Sequence, residues 1–175
     1  MSDSPIAHAL VVPAFGKSPE LRLDRSKTNE AKIRAVEAKM VNPLTYTDLE
    51  HCFNEAYREL VRNSAALNFQ LGEADKALQR VKADYLIDTY YPEVMKGKPK
   101  YMDSSDLRNA YLMRQPDYVA ALDRINQLKS FLTMIDGDIR SFENICRYMR
   151  KQMDLIIRSG VNSNLYITQG RTNGK

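Results

Sequence analysis

The chain has 175 residues, 27% of them charged, a formal net charge of +4 and a pI near 9.0. One domain with a flexible arm fits that length, and a mean hydropathy of −0.48 fits long thin helices better than a compact globule. The balance of 26 Lys+Arg against 22 Asp+Glu permits an acidic partner without demanding one.

Residues 1–26 read as an irregular arm, interrupted by Pro5, Pro13, Gly16 and Pro19. A short helix over 29–40 carries a weak apolar face of Ala31, Ile33, Ala35, Val36 and Met40, and Asn42-Pro43 ends it. Residues 1–44 therefore form an N-terminal arm with a short helix. The first long helix starts at Thr47, where Thr47-Asp48-Leu49-Glu50 has the form of a capping box. Its heptad seam runs Phe53, Tyr57, Leu60, Ser64, Leu67, Leu71, Ala74, Leu78, Val81 and Tyr85, and Pro92 is expected to stop it. Seam position Tyr85 is expected to be buried.

Residues 92–104 form a connector, which Gly97 and Pro99 make a turn or an extended segment. Ser105 is expected to cap a short helix over 106–114, and Pro116 to open the second long helix. That helix holds an unbroken heptad repeat: Ile125, Leu128, Leu132, Ile135, Ile139, Phe142, Cys146, Met149, Met153 and Ile156. Ser159-Gly160 reads as its C-cap. Residues 161–175 read as a flexible polar tail, with Leu165, Tyr166 and Ile167 its only apolar cluster.

Two helices of matched length predict an all-α fold: an antiparallel hairpin over 45–160, with short accessory helices. The apolar stripe of the second helix is too wide for a two-helix seam, because Phe131 and Ile145 fall at g positions and Ile157 at an e position. Neighbouring copies are expected to cover the excess in a multi-chain helical oligomer. The residues expected to carry that assembly are Ile125, Leu128, Leu132, Ile135, Ile139, Phe142, Ile145 and Met149.

Enzyme chemistry finds little support. His8 and His51 have no metal-ligand spacing with each other or with Cys52 and Cys146. Gly97 and Gly137 stand alone, so there is no phosphate-binding glycine loop. Asp136-Gly137-Asp138 reads as a solvated helix face rather than a metal site. Cys146 has no histidine partner that would make it a nucleophile. No catalytic residue, metal or cofactor is expected. Both cysteines sit inside helical apolar patterns, as small buried hydrophobes in a reducing compartment do. No apolar run approaches the roughly 20 residues of a membrane span, and Leu10–Val12 is too short for the apolar core of a signal peptide. A cytoplasmic protein without a membrane partner is expected.

Basic residues gather at the end of the first long helix (Lys76, Arg80, Lys82) and in the connector (Lys96, Lys98, Lys100). Tyr85, Tyr90, Tyr91 and Tyr101 interleave with them. Lysines and arginines on phosphates, with tyrosine faces under bases, are what single-stranded nucleic acid requires. The simpler alternative is solvated lysines beside a core Tyr85, and spacing alone favours it. A second basic set, Arg140, Arg147, Arg150, Lys151 and Arg158, lies on the last helix, and it also reads as an exposed flank.

Four features resemble the phage recombination mediators of the UvsY family, over about residues 45–158. A long helix ends in Arg80-Val81-Lys82-Ala83-Asp84 and the pair Tyr90-Tyr91. A Gly/Lys turn leads to Met102-Asp103-Ser104-Ser105-Asp106-Leu107-Arg108. Pro116-Asp117-Tyr118 opens the last helix. That helix reads Leu-Lys-Ser-Phe-Leu over 128–132 and Ile-Arg-Ser-Phe-Glu-Asn-Ile over 139–145. The resemblance implies a ring-like homo-oligomer that binds single-stranded DNA in the cytoplasm, the host's if the chain is phage-encoded. It also implies that the protein helps a RecA-type recombinase assemble on DNA covered by a single-strand-binding protein. The family's Leu-Lys-Ala-Arg-like DNA-binding segment has its counterpart in Val81-Lys82-Ala83-Asp84. Asp84 departs from it by placing an anion where the family has a cation, with Arg80 as the substitute one turn earlier. The basic-tyrosine cluster and the resemblance together give Lys76, Arg80, Lys82, Tyr90, Tyr91, Lys96, Lys98 and Lys100 as the expected DNA-binding residues. The competing expectation is a non-enzymatic structural or adaptor protein, such as a virion or assembly component, which needs the heptads but not the basic cluster.

Overall fold

The computed structural model describes residues 9–14 and 20–172, apart from the side chains of 161–172. His8, the rest of the arm and the side chains of Leu165, Tyr166 and Ile167 lie outside the described residues. The order is strand β1 (Ala9–Val12), strand β2 (Leu21–Asp24), helix α1 (Ser26–Arg34), a 3-10 turn (Glu37–Met40), helix α2 (Tyr46–Asp84), a π-helical stretch (Tyr85–Val94), a second 3-10 turn (Lys100–Met102), helix α3 (Ser105–Leu112) and helix α4 (Pro116–Thr172). The molecule is mostly helical, as the heptads predict. The chain divides into two compact units, one holding Arg22–Asn63 with the stretch from Ile135 onward, the other holding Ser64–Met134.

The described residues before α1 correct the expectation of an irregular arm. β1 and β2 pair in a two-stranded sheet, and Leu23 is buried. The junction from β2 to α1 is fastened by two residues one turn apart on α2. Asn63 donates from its amide to the Asp24 carbonyl at 2.7 Å. Glu59, 3% exposed, accepts from the Thr28 backbone N–H at 2.8 Å, the Thr28 hydroxyl at 2.6 Å and the Lys27 N–H at 3.0 Å. These backbone N–H groups belong to the first turn of α1, where a helix has donors without intrahelical partners and the macrodipole favours a negative charge. Glu59 thus satisfies the N-terminal donors of α1 from another helix, while Arg25 holds the N-cap position itself. On α4, Asp138 pairs with Lys32 at 2.7 Å and also with Arg25. Asp138 is therefore engaged by the α1 region rather than lying on a solvated face.

Within the first unit α2 and α4 run antiparallel: Glu50 faces Arg150 at 3.6 Å, and the rings of Phe53 and Phe142 meet edge to face at 5.5 Å. Glu50 also accepts from the Tyr46 hydroxyl at 2.9 Å, so it does not reach back to close a capping box at Thr47. The helix begins instead at an Asn42 turn, whose side-chain oxygen accepts from the Leu44 N–H at 2.9 Å and the Thr45 N–H at 3.1 Å. The far end also differs from expectation, since α4 continues through Ser159-Gly160 to Thr172. The only positive-φ glycine among the described residues is Gly97, so Gly160 does not adopt the left-handed conformation of a C-cap.

In the second unit Pro92 does not stop the first long helix, which runs on as a ten-residue π-helix. Proline clashes with the carbonyl four residues back in an α-helix. A π turn moves the hydrogen bond to the fifth residue back, and the Met95 N–H donates in that register to the Tyr90 carbonyl at 3.0 Å. Gly97, at φ 75°, turns the chain away. Ser104, one residue before the expected cap, accepts from the Leu107 N–H at 3.1 Å and starts α3. Pro116 opens α4 as its fixed φ favours.

Both heptads show the same division of labour. At the d position of α4, Leu128, Ile135, Phe142 and Met149 are all buried, whereas at the a position only Ile125 is, with Leu132, Ile139, Cys146 and Met153 half-buried. On α2, Phe53, Leu60, Leu67 and Ala74 are buried, but Tyr57 remains 39% exposed. This corrects the assembly residues. Ile125, Leu128, Ile135, Phe142 and Met149 are consumed inside the chain and are not available to a neighbour. Of the eight, Leu132, Ile139 and Ile145 retain open surface. Among the described residues no helix is long and apolar enough to cross a membrane.

Candidate nucleic-acid interface

The basic connector is built around Tyr90, which is fully buried. Its ring meets Tyr91 at 5.3 Å and Tyr111 of α3 at 5.2 Å, and its hydroxyl donates to Asp103 at 3.2 Å. Burial, followed by the hydrogen bond to Asp103, pushes the Tyr90 phenol above its ordinary pKa. Asp103 also pairs with Arg108 at 3.5 Å, and Arg108 donates to the Tyr91 hydroxyl at 3.4 Å. The π-helix, the turn and α3 are thereby locked together. Tyr85 is half-buried rather than core, and its hydroxyl donates to Asp117 at 3.2 Å. Burial and the neighbouring carboxylate raise its pKa in turn.

Around this anchor the sequence-predicted residues separate into two classes. Lys96, Lys98 and Lys100 are exposed, and Tyr101 beside them is 83% exposed. Tyr91 is 42% exposed with its hydroxyl engaged by Arg108. Tyr90 is the correction: a ring with no exposed surface cannot stack on a base, and it is the pin that holds the turn. Tyr101, which interleaves with the lysines but is absent from the expected DNA-binding residues, is the ring that is free to stack. On α2, Lys76 pairs with Glu73 at 2.8 Å, Arg80 is exposed and Lys82 is half-buried. From Met95 to Met102 the chain carries Lys96, Lys98 and Lys100 and no acid. An acid-free lysine turn beside an exposed phenol can hold phosphates by charge and a base by stacking.

The second basic set is also placed. Arg147 and Arg150 line a groove of about 410 Å³ with Phe53, Asn54, Tyr57, Phe142, Glu143 and Cys146, all within the first unit. Burial raises the Cys146 thiol pKa, with Arg150 opposing the shift. Sequence reasoning missed this groove because half of it comes from the open side of the α2 seam. A second groove of about 530 Å³ lies between the 3-10 turn and α4, lined by Ala35, Ala38, Lys39, Ser141, Asn144, Ile145 and Tyr148. Among the described residues no group of three or more His, Cys, Asp or Glu side chains is placed to hold a metal ion.

No protein-family model, curated protein or solved structure matches the chain.

Proposed function

We propose that this chain is a non-enzymatic single-stranded-DNA-binding protein that acts as a homo-oligomer in the cytoplasm. The observation that carries the reading is the acid-free turn of Lys96, Lys98 and Lys100 beside the 83% exposed Tyr101. On the resemblance to the UvsY family, its task is to help load a RecA-type recombinase onto DNA covered by a single-strand-binding protein. Two free cysteines accord with a reducing compartment. The test is a fluorescent-oligonucleotide titration at several salt concentrations. Replacing Lys96, Lys98 and Lys100 together by Ala should weaken binding and lower the salt slope by about 2, since each single-strand phosphate that a lysine no longer neutralises takes away roughly 0.7. An unchanged slope moves the site elsewhere, and no binding by the wild type at low salt removes the reading. A further assay measures recombinase filament formation on covered DNA, with and without the protein.

The α2–α4 pair is read as one antiparallel hairpin whose spare side joins copies. Its support is the open apolar surface on the g and c side of α4, where Ile145 is half-buried, Tyr148 is 42% exposed and Leu155 is 59% exposed. This side carries the second groove. Tyr148→Asp with Leu155→Asp should dissociate the oligomer with helicity retained, measured by light scattering and circular dichroism. An oligomer of unchanged mass would exclude this face. The structural or adaptor reading shares this face. It is the better one if the lysine turn proves inert to DNA.

A further inference from the structure

The groove lined by Arg147 and Tyr57 lies outside the lysine turn, and four of its polar side chains are unused. Among the described residues, the side chains of Asn54, Tyr57, Glu143 and Arg147 make no hydrogen bond or ion pair, while Arg150 pairs with Glu50 at 3.6 Å and also meets the Tyr46 hydroxyl. Free donors and acceptors that converge on an apolar floor mark a site for a ligand able to satisfy them. Here the floor is the Phe53–Phe142 edge-to-face pair, and the volume of about 410 Å³ falls within the range of small-molecule sites.

The chemistry of the lining selects the ligand. Tyr57 offers an exposed aromatic face for a planar ring. Arg147 offers a guanidinium fork that matches a phosphate. Asn54 has the donor and acceptor pair that fits an adenine edge, and Glu143, the one carboxylate in the lining, accepts from an exocyclic amine. The geometry points to a nucleotide site: an amino-bearing base against Tyr57, Asn54 and Glu143, with its phosphate on Arg147 and Arg150. The ligand is either a free mononucleotide or one nucleotide of a strand. The site does not depend on the lysine turn, so the two can fail separately.

Cys146 lines the groove and is half-exposed, whereas Cys52 is buried, which gives a local readout. In the full chain, adenosine monophosphate at about ten times its Kd should slow alkylation of Cys146 by roughly tenfold. Adenosine, which lacks the phosphate, should protect far less. Arg147→Ala should lose the protection while circular dichroism stays unchanged. Oligo-adenylate is tested beside the mononucleotide. Protection by the strand alone assigns the site to a strand, and protection by the mononucleotide assigns it to free nucleotide. No protection by either overturns the proposal, and so does equal protection by adenosine. A native Cys146 that resists alkylation without nucleotide, yet reacts once the chain is denatured, means that another surface covers the groove, which equally overturns it.

Discussion

Glu59→Ala should cost about 3 kcal/mol or more and release α1 from the rest of its unit. The carboxylate is 3% exposed and accepts from the Thr28 N–H, the Thr28 hydroxyl and the Lys27 N–H. Its loss leaves buried donors in the first turn of α1 unsatisfied, at about 1–3 kcal/mol each, and the terms overlap because the donors are neighbours. Glu59→Gln keeps one acceptor oxygen and should cost less than half as much. Urea unfolding measures the global cost. Hydrogen exchange at the amides of Lys27 and Thr28 shows whether α1 frays first. An alanine variant within about 0.5 kcal/mol of wild type, the range of ordinary surface substitutions, would show that water replaces the carboxylate freely.

Tyr90→Ala should lower the Tm by on the order of 10 °C, the scale set by truncating a large buried aromatic in a domain of this size. On the proposed function it should also weaken DNA binding, because Tyr90 holds the lysine turn against α3 through its rings and Asp103. Tyr90→Phe separates the two effects. The phenyl ring keeps the packing and forfeits only the hydroxyl, so DNA affinity should hold while the Tm falls slightly. Tyr101→Ala should do the reverse, weakening DNA binding with the Tm unchanged. The paired measurements are differential scanning calorimetry and oligonucleotide titration. A Tyr90→Phe variant that binds DNA as poorly as Tyr101→Ala would return Tyr90 to the interface.

Why the two tyrosines exchanged places explains how far the sequence could be read. On α2 the row Phe53, Leu60, Leu67 and Ala74 is buried, Leu78 is buried as well and Val81 half-buried, and extrapolating the seam puts Tyr85 in the core. The π-helix then changes the repeat. Its hydrogen bonds reach five residues back, so the next side chain on the buried face is Tyr90, five after Tyr85. Nothing in a period-seven pattern announces such a change, although Pro92 near its end is a cue. The d stripe of α4 was legible because apolar residues recur there without a break. Whether a neighbour or the chain itself covered that stripe was not, because periodicity records that a face is covered and not by what.

The clamp was missed for a different reason. Cys52, Ala56, Glu59 and Asn63 form a second stripe with steps of four, three and four, and all four are buried. Polar side chains at two of the four hide the stripe from a hydrophobic count, although the small residues at 52 and 56 mark a close approach. The strands escaped because each is four residues long and sits among prolines and glycine. Of the candidate interface, the lysine triplet was visible as composition. Which tyrosine accompanies it was decided by burial.

The distribution of chromophores and thiols has a practical consequence. The chain lacks Trp, its clustered phenols Tyr90, Tyr91 and Tyr111 lie in the second unit, and both cysteines lie in the first. Near-ultraviolet dichroism of the tyrosine cluster therefore reports opening of the Ser64–Met134 unit, while thiol reactivity reports opening of the other. Two signals native to the same polypeptide can then be followed through one denaturation. Their coincidence or separation tells whether the two units melt together or in turn.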